Sequence, residues 1–448
     1  GLGDVYKRQT GDGTTDDTNA LQNAINHCVT NGGAELVLNA GVYRVTNTIT
    51  AVLNAKHEQL HIRGNGNAII KYQPDSNADC LVVDIDSNQY ASDVSTGAPR
   101  FTINHVEFAY DGTSNGLGNA IHIVGNNIAG VHPQQSVIEN CQFLPWDSLQ
   151  YAFASGVRID NYSEVGFTNC AFYSDNNQNA DQLCTGVWID GTSTGQTCHY
   201  FFSDCTFLYG NAGIRVGNDT DGTYPYVEGL YINNCGFVAC QNGIEMFAIP
   251  SGGTAPTAEP GLQITNSHFN TNTYVPSGVH GYAVHTRGIA DILIANNLFY
   301  SGSTNHTPSP GLSNALYRGC IYLHESGRFN IQGNNFVNLD GGHTGSGYSN
   351  VGVTIATQSN AALANNRFGL INNNTFTGFV GAGGAIWLQA GTAGTITAYE
   401  ELNYFKNCTN NIVDQTTGAL NTTSLPGGSG GGGATNLSAT ASGTSLSV

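Results

Sequence analysis

The chain has 448 residues, only 10% of them charged, with 14 Lys and Arg against 32 Asp and Glu and a formal net charge of -18. That surplus of negative charge repels nucleic acid and anionic membranes, so the partners expected are neutral or weakly charged. With 58 Gly and so few charges, the composition suits many tight turns and surfaces solvated by amides and hydroxyls, and it excludes a body of exposed amphipathic helices.

Residues 1–9 (GLGDVYKRQ) lack apolar alternation, look like translated sequencing-adapter sequence and are set aside. From Gly11 to Cys28 a polar GDGTTDDT turn, with a capping Asp-Asp-Thr, leads into Ala20, Leu21, Ala24, Ile25 and Cys28 at helical spacing. Gly32-Gly33 ends this short amphipathic helix. Leu36 to Leu38, Val42 to Val45 and Ile49 then read as strand, broken by a turn at Asn39-Ala40-Gly41, and Leu60 to Arg63 runs into Gly64-Asn65-Gly66. No apolar run reaches membrane-spanning length and the start does not resemble a secretory signal.

A six-residue phrase is then repeated nine times: an apolar residue, any residue, usually Asn, a small or polar residue, any residue, Phe. Ile138 to Phe143, Phe167 to Phe172, Phe202 to Phe207, Ile232 to Phe237, Ile264 to Phe269, Ile294 to Phe299 and Ile371 to Phe376 show it cleanly. Ile103 to Phe108 and Ile331 to Phe336 are looser copies, and the closing Phe recurs every 29 to 40 residues, as insertions between fixed units would make it. A repeat of this period predicts a solenoid. Cys141, Cys170, Cys205 and Cys235 share one slot of successive copies and are expected to stack as small buried thiols, since the 11 Cys show no disulfide or zinc spacing. The Asn of the phrase suits a left-handed turn residue and, stacked, an amide ladder.

The runs DGTTDDTNALQNAI, GGAELVLNAGVYRV and HIRGNG resemble the amino-terminal cap and first coils of the pectate-lyase-like superfamily, which includes polygalacturonases and phage tailspikes. The resemblance implies an all-β fold, a single-stranded right-handed parallel β-helix of about nine to eleven coils with a short N-terminal capping helix. It places the cap and first coils at residues 10–70 and the body at 71–419, followed by a Gly/Ser-rich linker and the start of a tail-protein-like segment at 420–448. The Gly-His-Gly and Arg-Ile-Lys motifs of polygalacturonases are not found, which disfavours that activity.

Each repeat carries a second phrase, small, apolar, any, apolar, at 120–123, 156–159, 186–189, 213–216, 243–246, 283–286, 320–323, 352–355 and 385–388. Strand alternation turns its apolar letters inward and its variable letter outward. The outward column reads His122, Arg158, Trp188, Arg215, Glu245, His285, Tyr322, Thr354, Trp387. Two residues on, a parallel column reads Val124, Asp160, Asp190, Gly217, Phe247, Arg287, His324, Ala356, Gln389. For so sparsely charged a chain this is a dense cluster.

Trp188, Phe247, Tyr322 and Trp387 are expected to be exposed platforms for sugar rings, with Arg158, Arg215, His285, Arg287 and His324 as donors to hydroxyls or uronate carboxylates. Asp160 and Asp190, one rung and about 4.8 Å apart, are expected to split their pKa values into an acid and a base, with Glu245 the third catalytic candidate. Carboxylates on such a face also commonly pair with Arg, and Arg158 and Arg215 are at hand. Asp175, Asp181, Asp219, Asp221, Glu228 and Glu259 lie in insertions long enough to wall a groove.

The function expected is that of a phage tailspike-like protein, trimeric, on the virion tail or otherwise extracellular, which binds a bacterial surface polysaccharide and cleaves it as glycosidase or lyase. No cofactor is expected, calcium entering only in a lyase, and neither nucleic acid nor membrane insertion. The alternatives are a non-enzymatic glycan-binding adhesin and a secreted pectin-type lyase or hydrolase.

Overall fold

In the computed structural model every copy of the first phrase is a strand that bends at its third residue. His105, Asn140, Asn169, Asp204, Asn234, Asn266, Asn296, Gly333 and Asn373 occupy that position, all with φ between 50° and 65°. A left-handed residue there turns the chain by one sharp corner, and Asn tolerates it better than other residues with a Cβ. The structure describes residues 10–415 apart from 33, 55–57, 75–77, 86–98, 114–117, 126–134, 148–150, 175–183, 192–195, 218–223, 250–259, 272–280, 302–317, 339–350, 357–367, 381–383 and 390–396. The adapter-like start, the linker, the closing tail and most of the insertion carboxylates lie outside the described residues.

The fold is a right-handed parallel β-helix, and the chain divides into two compact units, Gly1–Val238 and Ala239–Val448. In the first, helix α1 (Thr18–Thr30) buries Leu21, Ala24, Ile25, Cys28 and Val29 against the strands Glu35–Val45 and Ile49–Leu53. The capping differs from expectation. Asp17 sits at the N-cap without capping, because its carboxylate accepts from the backbone N–H of Thr10 and Gly11, and Asp16 accepts from Thr18 N at 3.1 Å instead.

Behind this cap two parallel sheets run through the unit. The first is built of the bent strands, such as Val165–Thr168 with Ala171–Tyr173. The second contains Ile49–Leu53, Leu81–Ile85, Asn119–Gly125, Ser155–Asp160, Thr185–Asp190 and Ala212–Val216. A third pairing in the insertions is limited, among the described residues, to Gln196–Thr197 with Tyr226–Val227. The second unit repeats the scheme, its second sheet running Asn242–Phe247, Gly281–Arg287, Arg318–His324, Val351–Ala356, Ile386–Gln389 and Ile412–Asp414.

The core is a set of columns. Phe108, Phe143, Phe172, Phe207 and Phe237 stack with centroids 4.8 to 5.4 Å apart in the first unit. Phe269, Phe299, Phe336, Phe376 and Phe405 do so in the second, at 4.7 to 5.3 Å. The four thiols of the shared slot are free and buried, and Cys141, for one, donates to Glu139 O at 3.2 Å. In the second unit the same slot changes chemistry: Asn297, Asn334, Asn374 and Asn403 form an amide ladder, the side-chain oxygens of the last three each accepting from the previous rung's Asn at 2.9 to 3.0 Å. The buried ladder is therefore one residue further along than the corner Asn, whose own rungs are part-buried or exposed.

Candidate functional site

The parallel register of the second sheet aligns the outward residues. In the first unit His122, Arg158, Trp188 and Arg215 follow one another across the strands, and Val124, Asp160 and Asp190 do so two residues on. Hydrogen bonds between the strands lock each side chain beside its neighbour in the next rung. The structure thus brings Arg158, Asp160, Trp188, Asp190 and Arg215 together, and adds two residues.

The first is His122, present in the outward column but given no role, and the second is Asp79. His122 Nδ1 lies 2.7 Å from Asp79 Oδ2 and its Nε2 2.8 Å from Asp160 Oδ2. Ionised carboxylates only accept, so both ring nitrogens must donate and the ring is an imidazolium. Burial opposes that charge, but the two carboxylates outweigh it and lift His122 to about 9. Conversely, burial pushes Asp79 and Asp160 upward, yet the bonds from His122 and, for Asp160, the charge of Arg158 hold both below the usual carboxylate range.

Arg158 closes the network. Its Nε donates to Asp160 Oδ1 and Oδ2 at 3.1 and 3.2 Å, its Nη2 to Asp190 Oδ2 at 3.3 Å. Asp190 takes a further bond from Gly191 N at 2.8 Å. A side chain at Gly191 would press on Asn161 Oδ1, 2.7 Å from where its Cβ would stand, and Asn161 is itself held at φ 56°. The expected acid and base within the Asp160–Asp190 pair therefore has to be corrected: Asp160 is shifted down, because His122 bonds it and the Arg158 guanidinium stands between the two carboxylates.

In the second unit Glu245 pairs in register with His285, His285 with Tyr322, Tyr322 with Thr354 and Thr354 with Trp387. Phe247, Arg287 and His324 form the neighbouring column. Glu245 Oε1 accepts from Asn242 Nδ2 at 2.8 Å, and Asn242 Oδ1 accepts from Tyr282 N at 2.8 Å, so the carboxylate is anchored from its own strand. The His285 ring meets Phe247 edge-on at 4.8 Å and lies 5.0 Å from Tyr322.

The expectation of exposed aromatic platforms also needs correction. Phe247 is 6% exposed and Trp387 3%. Trp188 is half-buried with the Arg158 guanidinium 4.5 Å and that of Arg215 5.8 Å from its ring. Arg287 covers Phe247 at 4.6 Å, and Tyr322 stacks on Tyr282 at 4.8 Å. Because the rungs are so close, ring faces pair with the next rung's side chains before any sugar can reach them. Among the described residues no three His, Cys, Asp or Glu side chains are placed to hold a metal ion. Asp160 and Asp190 face a guanidinium, a setting that does not fit calcium.

Fold and site together define a parallel β-helix that carries paired ionisable groups on one outer sheet face. Residues 9–252 match the family model described as "Rhamnogalacturonase A/epimerase, pectate lyase-like", and the chain belongs to this family. Among curated proteins no sequence matches. Of solved structures, the pre-mature gene product 12 of bacteriophage phi29 is similar at a TM-score of 0.55 and 15% identity, over 88% of this chain and 51% of that one. A tailspike protein of the E. coli bacteriophage HK620, solved in complex with a hexasaccharide, is similar at a TM-score of 0.50 and 10% identity, over 87% of this chain and 61% of that one. The chain thus spans about half to three fifths of the length of these two proteins. No helix among the described residues is long and apolar enough to cross a membrane.

Proposed function

We propose that this protein is a tailspike-like component of a virion tail, a homotrimer that binds a bacterial surface polysaccharide along the outward face of the second sheet and cleaves it. The observation that carries the reading is the continuous run Asp79–His122–Asp160–Arg158–Asp190, every link between 2.7 and 3.3 Å, on one face of a chain that is 10% charged. Structural ion pairs can join any two rungs, but a five-residue network over consecutive rungs orients a carboxylate to within a narrow range. Asp160, ionised at neutral pH, is the base, nucleophile or cation stabiliser of glycosidic cleavage rather than its acid. Asp190, its side chain 5% exposed, holds Arg158, and Glu245 supplies a carboxyl group in the second unit.

Asp160→Asn, Asp190→Asn and Glu245→Gln are each tested by oligosaccharide release from host polysaccharide. Asp160→Asn is expected to lower the rate at least a hundredfold with polymer binding retained; release unchanged in all three variants would sink the catalytic reading. The pairing of every charge in the first-unit network favours the second reading, an adhesin whose face only binds, and glycan binding without any release would establish it.

A further inference from the structure

The first sheet has an outer face of its own, and in the first unit one row of it is apolar where strand alternation calls for polar letters. On the far side of each stacked Phe the chain turns Leu144, Tyr173, Leu208 and Val238 outward, all half-buried and following one another in the parallel register. On the near side Ala171, Thr206 and Gly236 face outward in the same register. With rungs about 4.8 Å apart the large residues form a ridge of about 14 Å, and the small ones a shallow groove beside it. None of the seven is charged. Gly236 is the informative member. It lies in the strand Gly236–Val238, outside the left-handed region, and among the described residues a Cβ there would come no nearer than 3.9 Å, to Thr206 Oγ1. Gly156 and Gly186, by contrast, are small because a Phe ring atom would stand 2.6 Å from their Cβ. Glycine weakens a strand, and where neither the backbone nor the packing beneath it asks for one, it marks close approach from outside.

We infer, on the homotrimer proposed above, that this ridge and groove are where its copies meet, the ridge of one protomer lying in the groove of the next. Two molecules that each carry a formal charge of -18 approach closely only over surfaces that bring no charge of their own, and these seven residues bring none. Asp204, at the corner beyond the groove, is held by Ser203 and Asn234. A basic partner, which so acidic a chain would otherwise favour, finds no carboxylate among the seven to pair with. The shape fits a copy as well. Ridge and groove lie side by side along the stack, so each protomer offers one of each, and such a head-to-tail contact closes into a ring about an axis parallel to the stack. Leu and Tyr side chains at its centre supply the apolar burial that holds an interface core.

The test measures the mass of the full chain by light scattering at about 150 mM NaCl, where charge repulsion is short-ranged, with retention of host polysaccharide read in parallel. Gly236→Thr adds a strand-favouring side chain where the protomer has room for it, so the far-UV circular dichroism spectrum is expected to stay unchanged while the groove is filled. Gly236→Thr and Leu208→Glu are each expected to raise the concentration at which the trimer dissociates by about tenfold or more, toward the 47.1 kDa protomer. A parent trimer that neither variant weakens overturns the inference and leaves the trimer standing. A monomeric parent overturns both, and its polysaccharide retention then judges the rest of the proposed function separately. Variants that stay trimeric yet no longer retain the polysaccharide would make the groove a glycan subsite instead of a contact between copies. Loss of the spectrum in Gly236→Thr would show that the groove is filled from within, which overturns the inference likewise.

Discussion

His122 is a histidine whose protonation is dictated by its neighbours. Because its pKa in the fold, about 9, stands above the ordinary 6.5, the stabilisation it brings is complete below pH 6.5 and is lost as pH rises through 9. A shift of that size corresponds to about 3 kcal/mol. Asp79 and Asp160 are shifted the other way, so their contribution holds above pH 4 and fades as acid protonates them. Urea midpoints should therefore fall between pH 6.5 and 9.5, and His122→Gln should flatten that limb while lowering stability at pH 6; a parent protein whose midpoint is flat over this range would show that the imidazolium is not held. The outward position of His122 was readable from strand alternation. Its role was not, because Asp79 precedes the strand Leu81–Ile85, in a coil without the second phrase, and only three-dimensional register places it beside a histidine 43 residues away.

The two phrases of each repeat turn out to be one packing unit. The Gly that opens the second phrase is small because the Phe that closes the first lies against it. A Cβ added at Gly156 would stand 2.6 Å from Phe172 Cδ1, one at Gly186 2.6 Å from Phe207 Cδ1, and one at Gly352 2.9 Å from Phe376 Cδ1. At Gly186 the Gly213 carbonyl oxygen is also only 2.5 Å away, and backbone cannot swing aside as a side chain can. Gly186→Ala should cost about 3 kcal/mol by overpacking, measured by urea denaturation. Phe207→Leu in the same chain should return only part of this, since the carbonyl contact remains; full recovery would assign the whole clash to the ring. Sequence alternation alone gave the inward faces correctly, but it could not join the two phrases, because the loops between them vary in length. For the same reason it missed that the thiol slot of the first unit becomes an amide ladder in the second, where Asn334 and Asn374 each take part in bonds to two rungs.

At the scale of the whole molecule the repeat made the architecture legible, since each coil must bury the same faces and so repeats the same letters. What it concealed is the use of the outward letters. Trp188, Phe247 and Tyr322 look like sugar platforms one rung at a time and become partners of Arg158, Arg287 and Tyr282 once the rungs are stacked. The assembly state is governed by a different balance. Bringing three copies together, each with a formal charge of -18, sets long-range repulsion against whatever apolar and hydrogen-bonded surface the copies share. That repulsion reaches about 30 Å in 10 mM salt and about 8 Å at physiological ionic strength, whereas contact burial is nearly insensitive to salt. Light scattering on the chain is therefore expected to give three times 47.1 kDa at 150 to 300 mM NaCl and a shift toward smaller species at 10 mM. A single 47.1 kDa species at every salt concentration would overturn the trimer, and a trimer indifferent to 10 mM salt would show that the acidic surfaces point away from one another.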